Sequence, residues 1–480
     1  MSSFSSLEIG KRALLAQKFG IDTASNNIAN VNTPGFSRRT AVMSETEVYK
    51  TNGNYQGTGV QVDFLRSFRQ ELLDKEMRGT LSQQTGYEID QSYLQQISSI
   101  FGEPSDNGLG EITTRFFNSF NALAQNPENV ALRQSLLENA QAMTDKFNSI
   151  AQGLIQLRDD AHSQITQDIN QANALLKDIA NLNQQISRSK AQTNSDIQTY
   201  VDQRAIKIEE LAKLTSATVS SNDDGSVNVF IDGSNVVNQS YSSELRLDES
   251  INPITGEKTL KILKYDIESG SSSSIDLQSG EITSLLDIYN VTLDDKDATA
   301  GFSIAKALDN FANAIAQSVN SKTIIGYGLD DVVPPPVGRN FFDPSVGFVS
   351  ANDIKISADI ANQPRNIPLS NQPNEPGNNR IALDIAGILN DPTFLDNQKP
   401  IDYFANFIGK IGSELNFANN GVSASHSIKT QLETQRQSVM GVNLDEEAID
   451  LIKYQRAFEA ASRVINTANE LLSTIVNLGR

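Results

Sequence analysis

The amino-acid sequence predicts a mainly α protein with β subdomains: an elongated multidomain chain with N- and C-terminal helices paired as a coiled coil, a long helical bundle domain and inserted β-rich regions. Three observations predict it. Both ends carry a narrow apolar stripe that repeats every seven residues. Residues 128–189 keep a helical apolar register without a proline, and residues 216–280 change to alternating β-branched residues separated by Asx-Gly turns.

The N-terminal helix is expected over residues 1–35. Ser5 and Glu8 have capping-box spacing, and Phe4 with Ile9 fits a hydrophobic staple. Leu7, Leu14, Ile21 and Ile28 form the stripe, with Gly10, Gln17, Ala24 and Val31 at the intervening seam positions. Thr33 precedes Pro34 and is pushed toward extended geometry, so the helix should end near Asn30–Asn32, with Gly35 supplying the turn and Asn26, Asn27 and Asn30 crowding the exit.

Residues 36–79 read as a β-rich connector. Thr40–Tyr49 is a strand candidate, Gly53, Gly57 and Gly59 mark turns, and Val60, Val62 and Phe64 alternate with polar residues. Gly57-Thr58-Gly59-Val60 lacks the Lys of a phosphate loop, so a bulged hairpin is expected; Phe68–Arg78 then turns helical.

A long-helix domain is expected over 80–215, completed by 281–325 and 400–440. Asp90–Phe101 and Glu111–Ala124 read as helices, the second with Ile112, Phe116, Phe120 and Leu123 on one face. From Glu128 to Ser189 the pattern is one long helix or two coaxial ones. Its seam of Leu136, Met143, Ile150 and Leu157 alternates with Ala140, Phe147, Leu154 and Ala161, then shifts by four to Ile165, Ala172, Ile179 and Ile186, a stutter that relaxes a supercoil. A further helical stretch runs from Asp202 to Leu214.

In the β-hairpin region, 216–280, Asn222-Asp223-Asp224-Gly225 and Asp232-Gly233 flank an alternating strand; the ligand spacing of a calcium loop is not met. Helices are expected again at Gly280–Tyr289 and Phe302–Asn320. Residues 326–399, with Pro334-Pro335-Pro336 and many Asn, read as irregular β and loop. Ile401–Val439 is helical and leads to Gly441, a hinge before the C-terminal helix at 441–480.

In that last helix Asn443 and Glu446 make a start signal, and Asp445, Glu446 and Glu447 place negative charge where the helix dipole favours it. Leu451, Phe458, Ile465 and Leu472 alternate with Tyr454, Ala461, Ala468 and Ile475 over a helix about 50 Å long. The two seams either bury each other or fold back separately on a central domain; periodicity leaves both open.

The chain has 480 residues, 39 Lys and Arg against 58 Asp and Glu, and no Cys. An acidic surface of net charge -19 is a poor nucleic-acid partner, and without Cys there is no disulfide and no thiolate zinc site. No segment has the pattern of a cleaved signal or the length of a membrane span, so the residues alone read as soluble and cytosolic. No catalytic, cofactor or metal constellation emerges. His162 and His426 lie in predicted long helices without a metal motif, there is no nucleophile elbow, and Asp294, Asp295 and Asp297 form a carboxylate cluster with no predicted cleft.

Ala24-Ser25-Asn26-Asn27-Ile28-Ala29-Asn30-Val31-Asn32-Thr33-Pro34-Gly35-Phe36-Ser37-Arg38 resembles the rod-type signature of bacterial flagellar axial proteins, the family of rod, hook and hook-associated subunits. Gly441-Val442-Asn443-Leu444-Asp445-Glu446-Glu447, followed by Tyr454-Gln455 and Thr467-Ala468-Asn469, resembles the C-terminal signature of the same family in the form its hook-associated branch carries. Met440 departs from it, standing where the family often has Ser.

The resemblance implies a non-enzymatic structural subunit at the junction of hook and filament, exported without a cleaved signal peptide. Its implied partners are copies of itself in a ring or helical layer, hook subunits below, a second junction protein and the filament above, and an export chaperone beforehand, with no nucleic acid and no membrane insertion. Leu7, Leu14, Ile21, Ile28, Leu451, Phe458, Ile465 and Leu472 would carry the assembly contact, with Asn26, Asn27 and Asn30 at the helix exit. A hook or distal rod subunit, a cytosolic coiled-coil adaptor, and an enzyme anchored by its ends are the competing readings.

Overall fold

The computed structural model describes residues 2–51, 54–191, 197–251, 258–294, 302–334, 336–344 and 347–478. The chain begins with α1 (Ser2–Ala29), three residues ahead of the expected capping box, so Ser5 lies inside the helix and does not cap it. A connector follows. β1 (Arg39–Glu45) pairs antiparallel with β4 (Val60–Ser67), with a bulge between Val42 and Met43, and encloses the small hairpin β2 (Tyr49–Thr51) and β3 (Asn54–Gln56). Gly59 takes a φ of 113° where β4 begins, a conformation closed to side-chain-bearing residues. Gly53 lies outside the described residues.

The body is built on long helices. α2 (Glu71–Phe101) is continuous where the sequence suggested two pieces: Gly79 is exposed in mid-helix, and Gly86 is where the helix packs closely on Ser284. Gly102 ends it in the left-handed region, its N–H donating to the Ser98 carbonyl. After α3 (Leu109–Gln125) comes α4 (Val130–Lys190), a single helix of 61 residues and about 90 Å. The Asn129 side chain accepts from the N–H groups of Ala131 and Leu132 and fixes its start. Both halves of the stuttered stripe, Leu136 to Ala161 and Ile165 to Ile186, are buried along one face. α5 (Gln198–Leu214) returns along it.

Two antiparallel sheets are inserted next. One has the order β5 (Ala217–Ser221), β6 (Val227–Ile231), β7 (Ser234–Asn238), β8 (Tyr241–Ser242); the other places β10 (Lys258–Tyr265) between β9 (Glu244–Ile251) and β11 (Ser272–Ile275). At the acidic turn Asp224 accepts from the N–H and hydroxyl of Ser226, so its carboxylate closes a hairpin. α6 (Glu281–Asp287) runs into one π-helical turn at Ile288–Thr292, and α7 (Ile304–Thr323) completes this layer.

The stretch expected to be irregular β holds more helix than its Asn and Pro content suggested. It contains α8 (Ala358–Ala361) and α9 (Arg380–Ile388), with bridges only between Tyr327 and Ser370, Phe342 and Ile356, and Leu395 and Gln398 among the described residues. Phe341 and Phe342 insert among Phe116 and Phe120 of α3 with ring centroids 5.8 Å apart, so burial of these rings orders a segment that has little ladder of its own. Pro335 lies outside the described residues. α10 (Pro400–Met440) packs along α2, and α11 (Leu444–Leu478) closes the chain. One continuous apolar core reaches from Tyr93 to Ile411 and, among the described residues, takes none from α1 or α11.

Candidate functional site

The terminal helices pack on each other. Gly10 meets Ile465, Gly20 meets the ring of Tyr454, and Asn27 meets Glu447, so α1 and α11 run antiparallel. The approach is close: a Cβ on Gly10 would stand 2.6 Å from Ile465 Cγ1, and one on Gly20 would stand 2.8 Å from Tyr454. Ala16, Ala24, Ala461 and Ala468 are buried around them. The innermost line on α1 is therefore its small residues. Leu7, Leu14, Ile21 and Ile28 flank that line, half-buried, as do Leu451, Ile465 and Leu472 on α11, while Phe458 is 36 % exposed; the side chains of Phe4 and Ile475 lie outside the described ones. A helix pair this close is set by what is absent from the seam as much as by what fills it.

Further apolar side chains on α11 point away from this seam. Ile449 (65 % exposed), Ile452, Val464 and Leu471 are among them, and Leu15 with Phe19 adds exposed apolar surface on α1. They fall in two groups, Ile449 with Ile452 in the first turns and Val464 with Leu471 farther along, and exposed apolar groups of this size mark an interaction surface.

The three Asn residues at the helix exit do different things. Asn30 donates to the Asn26 carbonyl and accepts from the Thr33 hydroxyl, a local tie on the surface, and Asn26 is exposed. Asn27 is 1 % exposed: its amide donates to the Arg39 carbonyl at 2.8 Å and to Glu447 at 2.9 Å, and its oxygen accepts from the Arg39 N–H. Glu447, itself buried, accepts on its other oxygen from Arg38 at 2.6 Å, and Arg38 also reaches Glu446 at 2.7 Å. Glu446 is thus bonded to Arg38, whereas the Asn443 side chain caps α11 by accepting from the Asp445 N–H. Burial works to lower the Arg38 pKa, but the hydrogen bonds and charges of Glu447 and Glu446 outweigh it and hold the guanidinium above its ordinary value.

This latch continues into the body. The Arg38 N–H donates to the Met440 carbonyl beside the Gly441 turn. Arg39 reaches Asp202 of α5 at 2.8 Å; Arg69 bridges Asp202, Asp74 of α2 and the Gly35 carbonyl; and Arg436 of α10 joins Asp74 and Glu209. Arg78 sits behind them with its pKa lowered by burial. The resulting joint ties the terminal pair, the connector, α2, α5 and α10 together through alternating charges. Periodicity passes over most of it, since its members lie up to 420 residues apart. The available signal is the presence of Arg38 and Glu446-Glu447 within the two terminal signatures.

Two of the other candidates for chemistry have structural partners. His162 is hydrogen-bonded to Glu249 at 2.7 Å, and Asp294 is buried against Arg158; Asp295 and Asp297 lie outside the described residues. Among the described residues no cluster of His, Asp and Glu is arranged to hold a metal, and no helix is long and apolar enough to cross a membrane.

A long helical body whose two ends pair and lock onto it through signature residues defines the class of flagellar axial proteins. In keeping with this, residues 7–36 match the family of flagella basal body rod proteins and residues 434–478 match the C-terminal family of basal body rod FlgEFG proteins. Residues 94–342, just over half of the chain, match the helical domain of flagellar hook-associated protein FlgK, and the chain belongs to this family. It is 26 % identical over 508 residues to flagellar hook-associated protein 1 of Bacillus subtilis (strain 168), covering 99 % of this chain and 98 % of that one. It is 23 % identical over 552 residues to flagellar hook-associated protein 1 of Salmonella typhimurium (strain LT2), with coverage of 97 % and 98 %. The structure of the flagellar hook junction protein FlgK from Burkholderia pseudomallei shares the fold with a TM-score of 0.63 at 14 % identity, over 76 % of this chain and all of that one.

Proposed function

We propose that this chain is the structural subunit that forms the junction between hook and filament in the bacterial flagellum and assembles through its terminal helix pair. It works outside the cell, reaches its place through the flagellar secretion apparatus without a cleaved signal peptide, and is held by an export chaperone beforehand. Copies of the chain form a ring or helical layer between hook subunits below and a second junction protein and the filament above. No catalysis is assigned to it.

The observation that carries this reading is the exposed apolar surface of α11. The first stripe is closed by the chain's own α1, whereas Ile449, Ile452, Val464 and Leu471 remain exposed. Burial of four such side chains against neighbouring copies supplies on the order of 6 kcal/mol per subunit before ordering costs. The same face disfavours a cytosolic adaptor that works as a single copy. Leu7, Leu14, Ile21, Ile28, Leu451, Phe458, Ile465 and Leu472 close the pair, and the exposed apolar side chains of α11 meet the neighbour.

Ile452→Asp tests it, since the charge goes onto the exposed apolar surface and leaves the α1–α11 seam intact. The isolated chain should melt within about 1 °C of the parent, because exposed substitutions are close to neutral, while incorporation into flagella falls at least tenfold and the chain accumulates in the medium. Normal incorporation of the variant would overturn the reading.

A further inference from the structure

A cavity of about 270 Å³ opens between α2, α10 and the π-helical turn, away from the terminal pair. Tyr93, Phe302 and Phe417 supply its aromatic wall, and three carboxylates stand around it, Asp90 from α2, Asp287 from the end of α6 and Glu414 from α10. Two features set it apart from an ordinary surface dent. Phe417 is 64 % exposed although its ring meets Tyr87 edge-on at 6.0 Å, so a large aromatic is displayed at the opening. The three carboxylates also line the one cavity, with the charges of Asp287 and Glu414 acting on Asp90, and none of them is in a salt bridge among the described residues. Burial pushes the Asp90 carboxyl up to about 6 against a stabilising hydrogen bond from Ser284, and the charges of Asp287 and Glu414 push it further the same way.

The chemistry narrows the occupant. The carboxylates do not form a metal-holding group, so an extended cation is needed to reach more than one of them. The volume is below that of a typical small-molecule site and suits one side chain. An apolar stem against Tyr93 and Phe302, with a planar cationic head stacked on an aromatic face and forked between carboxylates, describes arginine better than lysine. The wall already holds one cation from this chain, since Lys410 Nζ lies 3.8 Å from the centre of the Phe302 ring.

We propose that this cavity is a socket for an arginine side chain presented by the subunit packed beside it in the assembly, an inference that rests on the structural-subunit reading above. Like charges gathered around an aromatic-walled cavity lower the stability of the isolated chain, and a neighbour's guanidinium turns that repulsion into attraction on assembly.

The test uses the full chain with 4-fluorophenylalanine at position 417, read by fluorine NMR. N-acetyl-arginine amide should give a saturable shift, and the uncharged N-acetyl-citrulline amide should bind at least tenfold more weakly. In the Asp90→Asn/Glu414→Gln double variant the two probes should become equivalent, while its melting temperature stays at or above that of the parent because repulsion has been removed. Asp287→Asn is the second variant should the pair fail to fold, with the same expected loss of preference. Equal responses to both probes in the parent chain, or no saturable shift, would overturn the socket. Because the measurement is made on the isolated chain, its failure leaves the Ile452→Asp incorporation test standing, and failure of that test leaves the probe result standing.

Discussion

Asp168 lies on the inner face of α4 at 2 % exposure, with Gln164 donating to one carboxylate oxygen and the other oxygen without a hydrogen bond. Burial is the main reason its pKa rises to about 7, and the charge of Glu281 on α6 adds to the rise, while Tyr93 of α2 faces the same space. Since the folded-state pKa is above the unfolded value, the neutral form favours the fold, and this group's contribution is lost as pH rises from about 4 to 7. Asp168→Asn should therefore stabilise the chain by roughly 1–3 kcal/mol at pH 8 and leave it nearly unchanged at pH 4, as followed by thermal unfolding at the two pH values. Equal effects at both would show that the carboxylate is not the source. Glu447 gives the opposite case, because its charge is partnered. Glu447→Ala removes the buried carboxylate that Arg38 and Asn27 share, leaving Arg38 with Glu446 and Asn27 with Arg39, and should cost about 2–3 kcal/mol locally. The Arg39 amide, which is bound by Asn27, should then exchange its hydrogen about 100-fold faster; unchanged exchange would mean that something other than Glu447 holds the latch.

Among the elements, α4 was the most legible in the sequence, because its stripe keeps a helical period through a four-residue shift and both halves face the same core. α2 was less so: Gly79 and Gly86 look like breaks, yet neighbouring helices hold them in register. The terminal seam was readable as a heptad. Gly10 falls at a seam position, but Gly20, where the backbones also come close, does not, and no single-chain pattern reveals that a partner side chain needs that space. α9 was passed over because its short apolar run sits inside a Pro- and Asn-rich stretch and is ordered by packing against its neighbours. Beyond Arg38 and Glu446-Glu447 in the terminal signatures, the joint was not legible, since pairs such as Arg39 with Asp202 are brought together only by the fold. The two glycine environments make a paired prediction. Gly20→Ala pushes into the Tyr454 ring and should weaken the terminal pair by about 1–3 kcal/mol, whereas Gly79→Ala meets nothing within 4 Å and should stabilise α2 by up to about 1 kcal/mol. Denaturant melts of both variants check the contrast; a stabilising Gly20→Ala would show that the helices are not in close contact.

At the scale of the whole molecule, the main core and the terminal pair are separate hydrophobic units connected by a charged joint. Removing residues 441–480 should leave a body that unfolds cooperatively with less than about 1 kcal/mol lost, while α1 becomes susceptible to protease and incorporation into flagella is abolished; limited proteolysis with mass spectrometry reads the first two. A body that collapses on truncation would place part of its stability in the tail. The antiparallel pair has a kinetic consequence as well. Asn27 finds Glu447 420 residues further along the chain, so α1 has to wait for α11 before it can dock. Loop closure over such a length is slow compared with local helix formation. During synthesis α1 therefore exists for a time without its mate, and the latch snaps shut only once Glu447 has joined it.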